Sequence, residues 1–476
     1  MAAAVAAGPI ARQLVFALAA LVSCSPVAEQ AVAGPSHIPS AAAAVVSPSP
    51  TPQPTHVQYF VPVTNATAVR DEVPFAGLTE VLAPASHVAA VSRLLPAARV
   101  EAVEDVAIVP RVRASAGAIA LLPPEAVDVS VKTLSVDGRF FWDRSLALAD
   151  YPLAATERGA APSSARDQLW SLVAGGGIIF GRGVQERVER YRDPSRPFAK
   201  VRDLTRAADV ALATLEAPLS REGNRYCQSC LVFVGNESYI SAIVDAGFDV
   251  LSLAANHSGD AGPAGVLDSI RVARAAGIAT VGAGADEASA RQPAFLQVRG
   301  LRVAFLAYVD VPPASYAATV TRPGHARLSH DDPGYERIRA EVAAARAQAD
   351  LVIVVPHWGI EYEDQPRPWI RAAAEAMLEA GADVILADHP HWVQSVETRN
   401  GRYVAYSLGN FIFDQMWSAE TRQGSLHQLF FIGRRLVSAR IRPTLLEDYH
   451  QPRLLDPGEP AYQQTLQRIW RRSVFE

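Results

Sequence analysis

Apolar residues along the chain fall in short runs, divided by polar punctuation, with no single period running throughout. Between residues 166 and 448 such runs predict strands at Trp170–Ala174, Val210–Leu215, Val250–Leu253, Thr280–Val281, Arg302–Ala307, Leu351–Val355, Val384–Ala387 and Tyr403–Ser407. Helical spacing between them predicts helices at Tyr239–Ala246, Pro263–Ala276, Tyr335–Ala349 and Trp369–Ala380. Three helices close on Ala-Gly (Ala246-Gly247, Ala276-Gly277, Ala380-Gly381), a stop signal that releases the chain into the next strand. Strand and helix in alternation predict a layered α/β domain. A tail over 449–476 is expected to be helical.

The stretch 57–165 predicts a smaller α/β unit. Val57–Val63, Arg99–Val103, Gly117–Pro123 and Lys132–Val136 read as strands, and Gly77–Leu82, Ser86–Leu95 and Val106–Ala114 as helices. Val112–Pro123 resembles a stretch of periplasmic substrate-binding proteins, which makes a solute-binding lobe one expectation and a structural accessory unit the other. Residues 24–56 are rich in Pro, Ala and Ser, a composition that favours an extended tether over a packed core. Residues 1–23 carry Arg12 and a short apolar core, and Leu21-Val22-Ser23-Cys24 resembles a bacterial lipobox. The expectation is an extracytoplasmic lipoprotein of the cell envelope, held to the membrane through a lipid on Cys24 alone.

Composition narrows the picture. The 476 residues are 49% hydrophobic, enough for two or three domains with substantial cores. No apolar run reaches the ~18 residues of a membrane-spanning helix. Net charge is −5, Lys132 and Lys200 are the two lysines, and no basic block stands out, which argues against nucleic acid as a partner. In an oxidising compartment Cys227 and Cys230 are expected to pair as a disulfide, since one C-x2-C pair cannot complete a four-ligand zinc site.

Candidate chemistry gathers just past four of the predicted strands, where open α/β sheets bind ligands. Glu216 follows Val210–Leu215. Asn256, His257 and Asp260 follow Val250–Leu253. His357, Trp358 and Glu361 follow Leu351–Val355, and His389 and His391 follow Val384–Ala387. Imidazole, carboxylate and amide donors together suit Zn, Mn or Fe.

These blocks, with Tyr406-Ser407-Leu408-Gly409-Asn410-Phe411-Ile412-Phe413-Asp414, resemble the CapA family of poly-γ-glutamate capsule biosynthesis proteins, within the calcineurin-like metallophosphatase superfamily. The resemblance covers roughly residues 170–445. It implies a four-layer α/β/β/α sandwich with a two-metal site at the strand ends. Glu216 would bridge the metals, Asn256, His357 and His389 would hold the second, and His391 would belong to the first. His257 would act as general acid, oriented by Asp260. Trp358, Glu361 and Asn410 would either support the ligands from behind or face substrate, with packing in the core an equal alternative for Trp358. The partners implied are an anionic polymer such as poly-γ-glutamate, or a phosphoester, and capsule-assembly proteins.

One block departs from the family. Aligned on Gly181-Arg182, the position of the family's first metal-binding aspartate holds Gly177. Asp388, which precedes His389, is expected to point away from that gap. Two functions stay open: a metal-dependent hydrolase or transferase with one or two divalent ions, and a catalytically weakened, lipid-tethered protein that binds or assembles an anionic polymer or a partner.

Overall fold

The computed structural model describes residues 54–159, 166–221, 231–311, 313–329, 332 and 334–476. Cys24, Cys227 and Cys230 lie outside them, so the lipidation and disulfide expectations do too.

Two sheets form the centre. Sheet I runs in the order Ala279–Val281, Val250–Ser252, Val210–Leu215, Leu169–Ile178, Gln423–Ile432, Arg435–Glu447 and Gln451–Leu454, with Asn410–Ile412 also paired to Leu169–Ile178. Its first four strands are parallel and the rest of that order is antiparallel. Sheet II runs Ala294–Val298, Leu301–Val309, Leu351–His357, Val384–Leu386, Arg402–Ala405, Val396–Arg399 and Val474–Phe475.

Side-chain alternation along each strand builds the layers. Val303, Phe305, Ala307 and Val309 face inward and meet Leu172, Ala174, Val210 and Leu212 of sheet I in one inter-sheet core. Their neighbours Ala304, Leu306 and Tyr308 face outward, onto helices Glu336–Arg346 and Pro368–Glu379. On the far side Val173, Ala211, Ala213 and Leu215 pack on helices Arg182–Tyr191 and Gly262–Ala275. Helix, sheet, sheet, helix is the expected four-layer sandwich. At the predicted Ala-Gly stops, Gly247 and Gly277 take φ of 84° and 84°. Each lets the following amide reach back into the last helical turn, Phe248 N to Ile243 O at 3.3 Å and Ile278 N to Ala273 O at 2.9 Å.

The N-terminal unit is a five-stranded sheet ordered Arg99–Val103, Glu80–Pro84, Ile119–Leu122, Val61–Asn65, Val131–Thr133, with helices Val88–Leu94 and Ile108–Ala114. Its core is continuous with the sandwich through Leu169, Phe430 and Val437. Two expectations are corrected. The predicted helix Gly77–Leu82 is a single tight turn, Phe75–Gly77, followed by a strand, because Val81, Leu82 and Ala83 are all buried and a run buried on both faces has no period to read. The predicted helical tail contains helix Pro460–Trp470, but it also lends Gln451–Leu454 to sheet I and Val474–Phe475 to sheet II. No described helix is long and apolar enough to cross a membrane.

Candidate functional site

The strand ends of both sheets that carry the sequence candidates meet at one edge of the sandwich. Sheet I presents Gly177, near the end of Leu169–Ile178, and Glu216, one residue past Val210–Leu215. Backbone pairing of Glu216 N with Ile178 O at 2.9 Å fixes the glutamate beside that strand. Sheet II presents His357, the last residue of its strand, and the turn His389-Pro390-His391 beyond Val384–Leu386. That turn is backbone-strained, with φ of 101° at His389 and 60° at His391. Trp358 N to Asp388 O at 3.1 Å and Tyr362 N to Pro390 O at 2.9 Å clamp it.

His357 is the centre of the arrangement and is wholly buried. Its Nδ1 meets Asp388 Oδ1 at 2.7 Å, so Nδ1 carries a proton and the carboxylate sets the ring's orientation. The opposite nitrogen, Nε2, lies 2.9 Å from Asn256 Oδ1 and 3.2 Å from His389 Nδ1. Burial works against an imidazolium here, but Asp388, and after it Glu216 and Asp310, outweigh that and raise the His357 pKa. His389 goes the other way: burial first, then the neighbouring histidines, hold its pKa well below the ordinary value. Asp388 is therefore the group that orients His357.

His391 is positioned from behind as well. Its Nδ1 lies 2.9 Å from Asn410 Oδ1, while Asn410 Nδ2 donates to Gln415 Oε1 at 3.0 Å and Thr421 O at 2.9 Å. Asn410 is buried, with its amide committed to these contacts, so of the two roles expected of it this geometry is that of a residue holding a histidine in place. Glu361 does sit at the exposed rim, its Oε1 3.8 Å from His391 Nε2, and that imidazole keeps its carboxyl below the ordinary range. Trp358 takes the packing place that was one of its expected alternatives. It is fully buried in the core between sheet II and its helices, and its Nε1 donates to Tyr406 O at 3.1 Å.

His257 and Asp260 are together, Nδ1 to Oδ2 at 2.8 Å. Asp260 also accepts from Phe233 N at 2.7 Å and Tyr316 Oη at 3.2 Å, which fixes it in place. The His257 ring stacks on Phe233 with centroids 4.0 Å apart, and Arg182, paired with Asp414, lies 4.3 Å over the same phenyl ring. Sequence reasoning missed Phe233, Arg182, Asp310 and His325. Asp310 follows strand Leu301–Val309, so the strand-end signal that found Glu216 was there to be read. His325 bonds Ser258 Oγ at 3.0 Å, and burial and then His357 push its pKa down to about 3.

Among the described residues no three His, Cys, Asp or Glu side chains form a ready cation cage. The donor chemistry nevertheless fits a divalent ion on one side. Glu216 Oε1 is buried with no hydrogen-bond partner. A ring nitrogen whose proton sits on its other face meets an amide oxygen and a second imidazole. A buried carboxylate oxygen with no donor, on the same edge as imidazole and amide groups, suits a cation. The other side lacks a donor: a Cβ built on Gly177 would lie 2.5 Å from Glu216 Oε2, so the position faces the site with no side chain to offer.

Residues 171–415 match the family described as bacterial capsule synthesis protein PGA_cap. The chain is 34% identical over 276 residues to a capsule biosynthesis protein CapA of Bacillus anthracis, covering 57% of this chain and 66% of that one. It is 33% identical over 264 residues to the PGA biosynthesis protein CapA of Bacillus subtilis (strain 168), covering 55% and 68%. A probable polyglutamine synthesis accessory protein of Mycobacterium tuberculosis is 26% identical, with 63% and 91% covered. The chain thus spans just under two thirds of the B. anthracis protein's length. A solved structure of a hypothetical protein from Thermus thermophilus overlaps 57% of this chain and 98% of its own at 13% identity, with a TM-score of 0.37, too low to carry weight.

Proposed function

The chain belongs to the bacterial capsule synthesis protein family PGA_cap, and from that premise we propose that it is a metal-dependent hydrolase or transferase of poly-γ-glutamate capsule assembly, holding one divalent ion. The buried, unpartnered Oε1 of Glu216 carries this reading, together with the Glu216 charge felt at His357 and the contacts of His357 with Asn256 and His389. Those four residues would hold the ion. When bound, it would supply Lewis acidity and lower the pKa of a water at the site.

The chain's own residues supply the rest. Asp388 keeps the His357 proton on Nδ1 and so leaves Nε2 free to donate an electron pair. Asp260 does the same for His257, whose Nε2 is then the atom that takes or gives a proton to the group being transferred. Phe233 covers one face of that ring and limits water there. Arg182, over the Phe233 ring and paired with Asp414, would place a guanidinium where an anionic substrate approaches.

Gly177 favours a second reading, a polymer-binding or assembly protein with slow or no turnover, because it withholds a carboxylate from the site. Metal analysis of the purified chain, coupled to a screen of phosphoester and γ-glutamyl hydrolysis, separates the two. One ion per chain with turnover that falls in His257→Ala supports the enzyme. A chain that retains no ion and hydrolyses nothing supports the second reading. We also propose a lipid tether through Cys24 at the cell envelope, which predicts that Cys24→Ala moves the protein from the membrane fraction to the soluble one.

A further inference from the structure

A cavity of about 610 Å³ opens on the helix-covered face of sheet I, where the N-terminal unit meets the sandwich. Phe140, Trp142 and Phe430 form one wall, helix Arg202–Ala207 another, and Arg440 and Arg442 the floor. The two arginines are two positions apart on strand Arg435–Glu447, so their side chains leave the same face, about 7 Å apart along the strand. Ile441 between them turns to the opposite side and packs on the inter-sheet core.

Neither guanidinium makes a hydrogen bond or an ion pair with any described residue. Arg440 lies flat on Phe140, 4.8 Å from the ring centroid, which fixes its plane. Burial, then the charge of Arg440, lowers the Arg442 pKa, while Asp71 opposes that shift. Asp71 is already held by Lys132 at 2.5 Å and by Tyr462. Other charges at the cavity are Arg144, paired with Asp209 at 2.5 Å, Asp143, which accepts from Ser145 at 2.8 and 2.7 Å, and Asp203. Two unspent cations therefore face one free carboxylate. Two like charges on one strand face, half-buried and unpaired, are an unfavourable arrangement that a bound anion relieves.

We propose that this cavity binds a dicarboxylate, one acid group on each guanidinium fork and the short apolar stem between them against Phe140 and Phe430. Arginine forks match carboxylates two bonds at a time, and the volume suits a small ligand or a short chain segment. Two sources share that chemistry: a free diacid such as glutarate, and a segment of a γ-linked glutamate chain. The site lies on a different face of sheet I from the strand-end cluster, and it goes beyond the metal-dependent reading without needing it.

Calorimetric titration of the full chain with glutarate, with a γ-linked glutamate oligomer and with inorganic phosphate tests it. Saturable binding of glutarate or the oligomer, weakened about tenfold to a hundredfold in Arg440→Gln/Arg442→Gln, is expected. Ala207→Trp, on the exposed side of its helix at the cavity wall, should weaken binding without touching either arginine and guards against a misfolded double variant. Oligomer tighter than glutarate identifies a chain segment as the ligand; equal affinity identifies the free diacid. Unchanged affinity in both variants, phosphate binding as tightly as glutarate, or no binding of either diacid would overturn the proposal.

Discussion

His427 and His357 are both buried histidines, yet their surroundings differ in a way that separates a structural imidazole from one poised to bind. His427 sits within the sandwich, with Tyr403 Oη 2.9 Å from Nδ1 and Ser425 Oγ 3.1 Å from Nε2; Ser425 Oγ in turn reaches Leu408 O at 3.2 Å. Tyrosine donates, imidazole accepts and passes its own proton on, serine donates to the carbonyl, and each group has what it requires. His357 has one nitrogen fixed against the Asp388 carboxylate, and its other meets Asn256 Oδ1 and His389 Nδ1. The Glu216 charge acts on this imidazole, and Glu216 Oε1 is buried with no partner. A closed chain of donors and acceptors stabilises a core. A buried carboxylate oxygen with no donor stabilises nothing until something positive arrives.

The strongest way to break that contrast is to remove each imidazole and measure metal. His357→Ala should leave less than about a tenth of the wild-type ion content after dialysis, since it removes one of four donors and the group that Asp388 orients. Asp388→Asn keeps the imidazole but releases its tautomer, and should weaken ion affinity about tenfold to a hundredfold. His427→Gln should leave ion content unchanged. Equal ion loss in the His427 and His357 variants would erase the distinction.

Gly177→Asp sharpens it from the other side. The new Cβ would crowd Glu216 Oε2, the end of a flexible side chain that can give way. Two carboxylates then share a buried point. Without metal they repel, and at an effective dielectric of about 20 the cost at 4 Å is of order 4 kcal/mol. The metal-free variant should melt lower than wild type, regain its stability on adding Mn or Zn, and take up a second ion per chain. A wild-type chain already holding two tight ions at full occupancy would sink this account of Gly177.

What the sequence made legible follows the same physics. Strands buried on both faces, such as Val210–Leu215 and Leu351–His357, announce themselves as apolar runs, and the polar residue just past each run marks the site. The long hairpin Gln423–Ile432 and Arg435–Glu447 was missed, because Gln423, Ser425, His427, Arg440 and Arg442 break its apolar pattern. Those same polar residues turn out to be the His427 network and the floor of the arginine cavity. The roles of Asn410 and Trp358 stayed open in the sequence because it says which residues lie near a strand end, not which side of the ligand they occupy. Nothing in a string of residues shows that Asn410 stands behind His391.

The smallest effect expected is also the most specific to the structural histidine. Burial pushes the His427 pKa down to about 3, against 6.5 when exposed. Between those values the folded state keeps His427 neutral while the unfolded chain binds a proton, so the unfolded state holds more protons and stability rises with pH. Read downward, the folded state loses about 1.4 kcal/mol per pH unit through this group as pH falls from 6.5 toward 3, and the loss levels off below the folded pKa. His427→Gln should lower stability at pH 7 by about 1–3 kcal/mol, by disturbing the Tyr403 and Ser425 bonds. It should also flatten the acid limb, because glutamine takes up no proton in either state. Urea midpoints measured at pH 7, 6, 5 and 4 would then converge between variant and wild type as pH falls. Parallel curves would mean that His427 is already protonated in the fold, and that the tyrosine-to-serine relay assigned to it runs some other way.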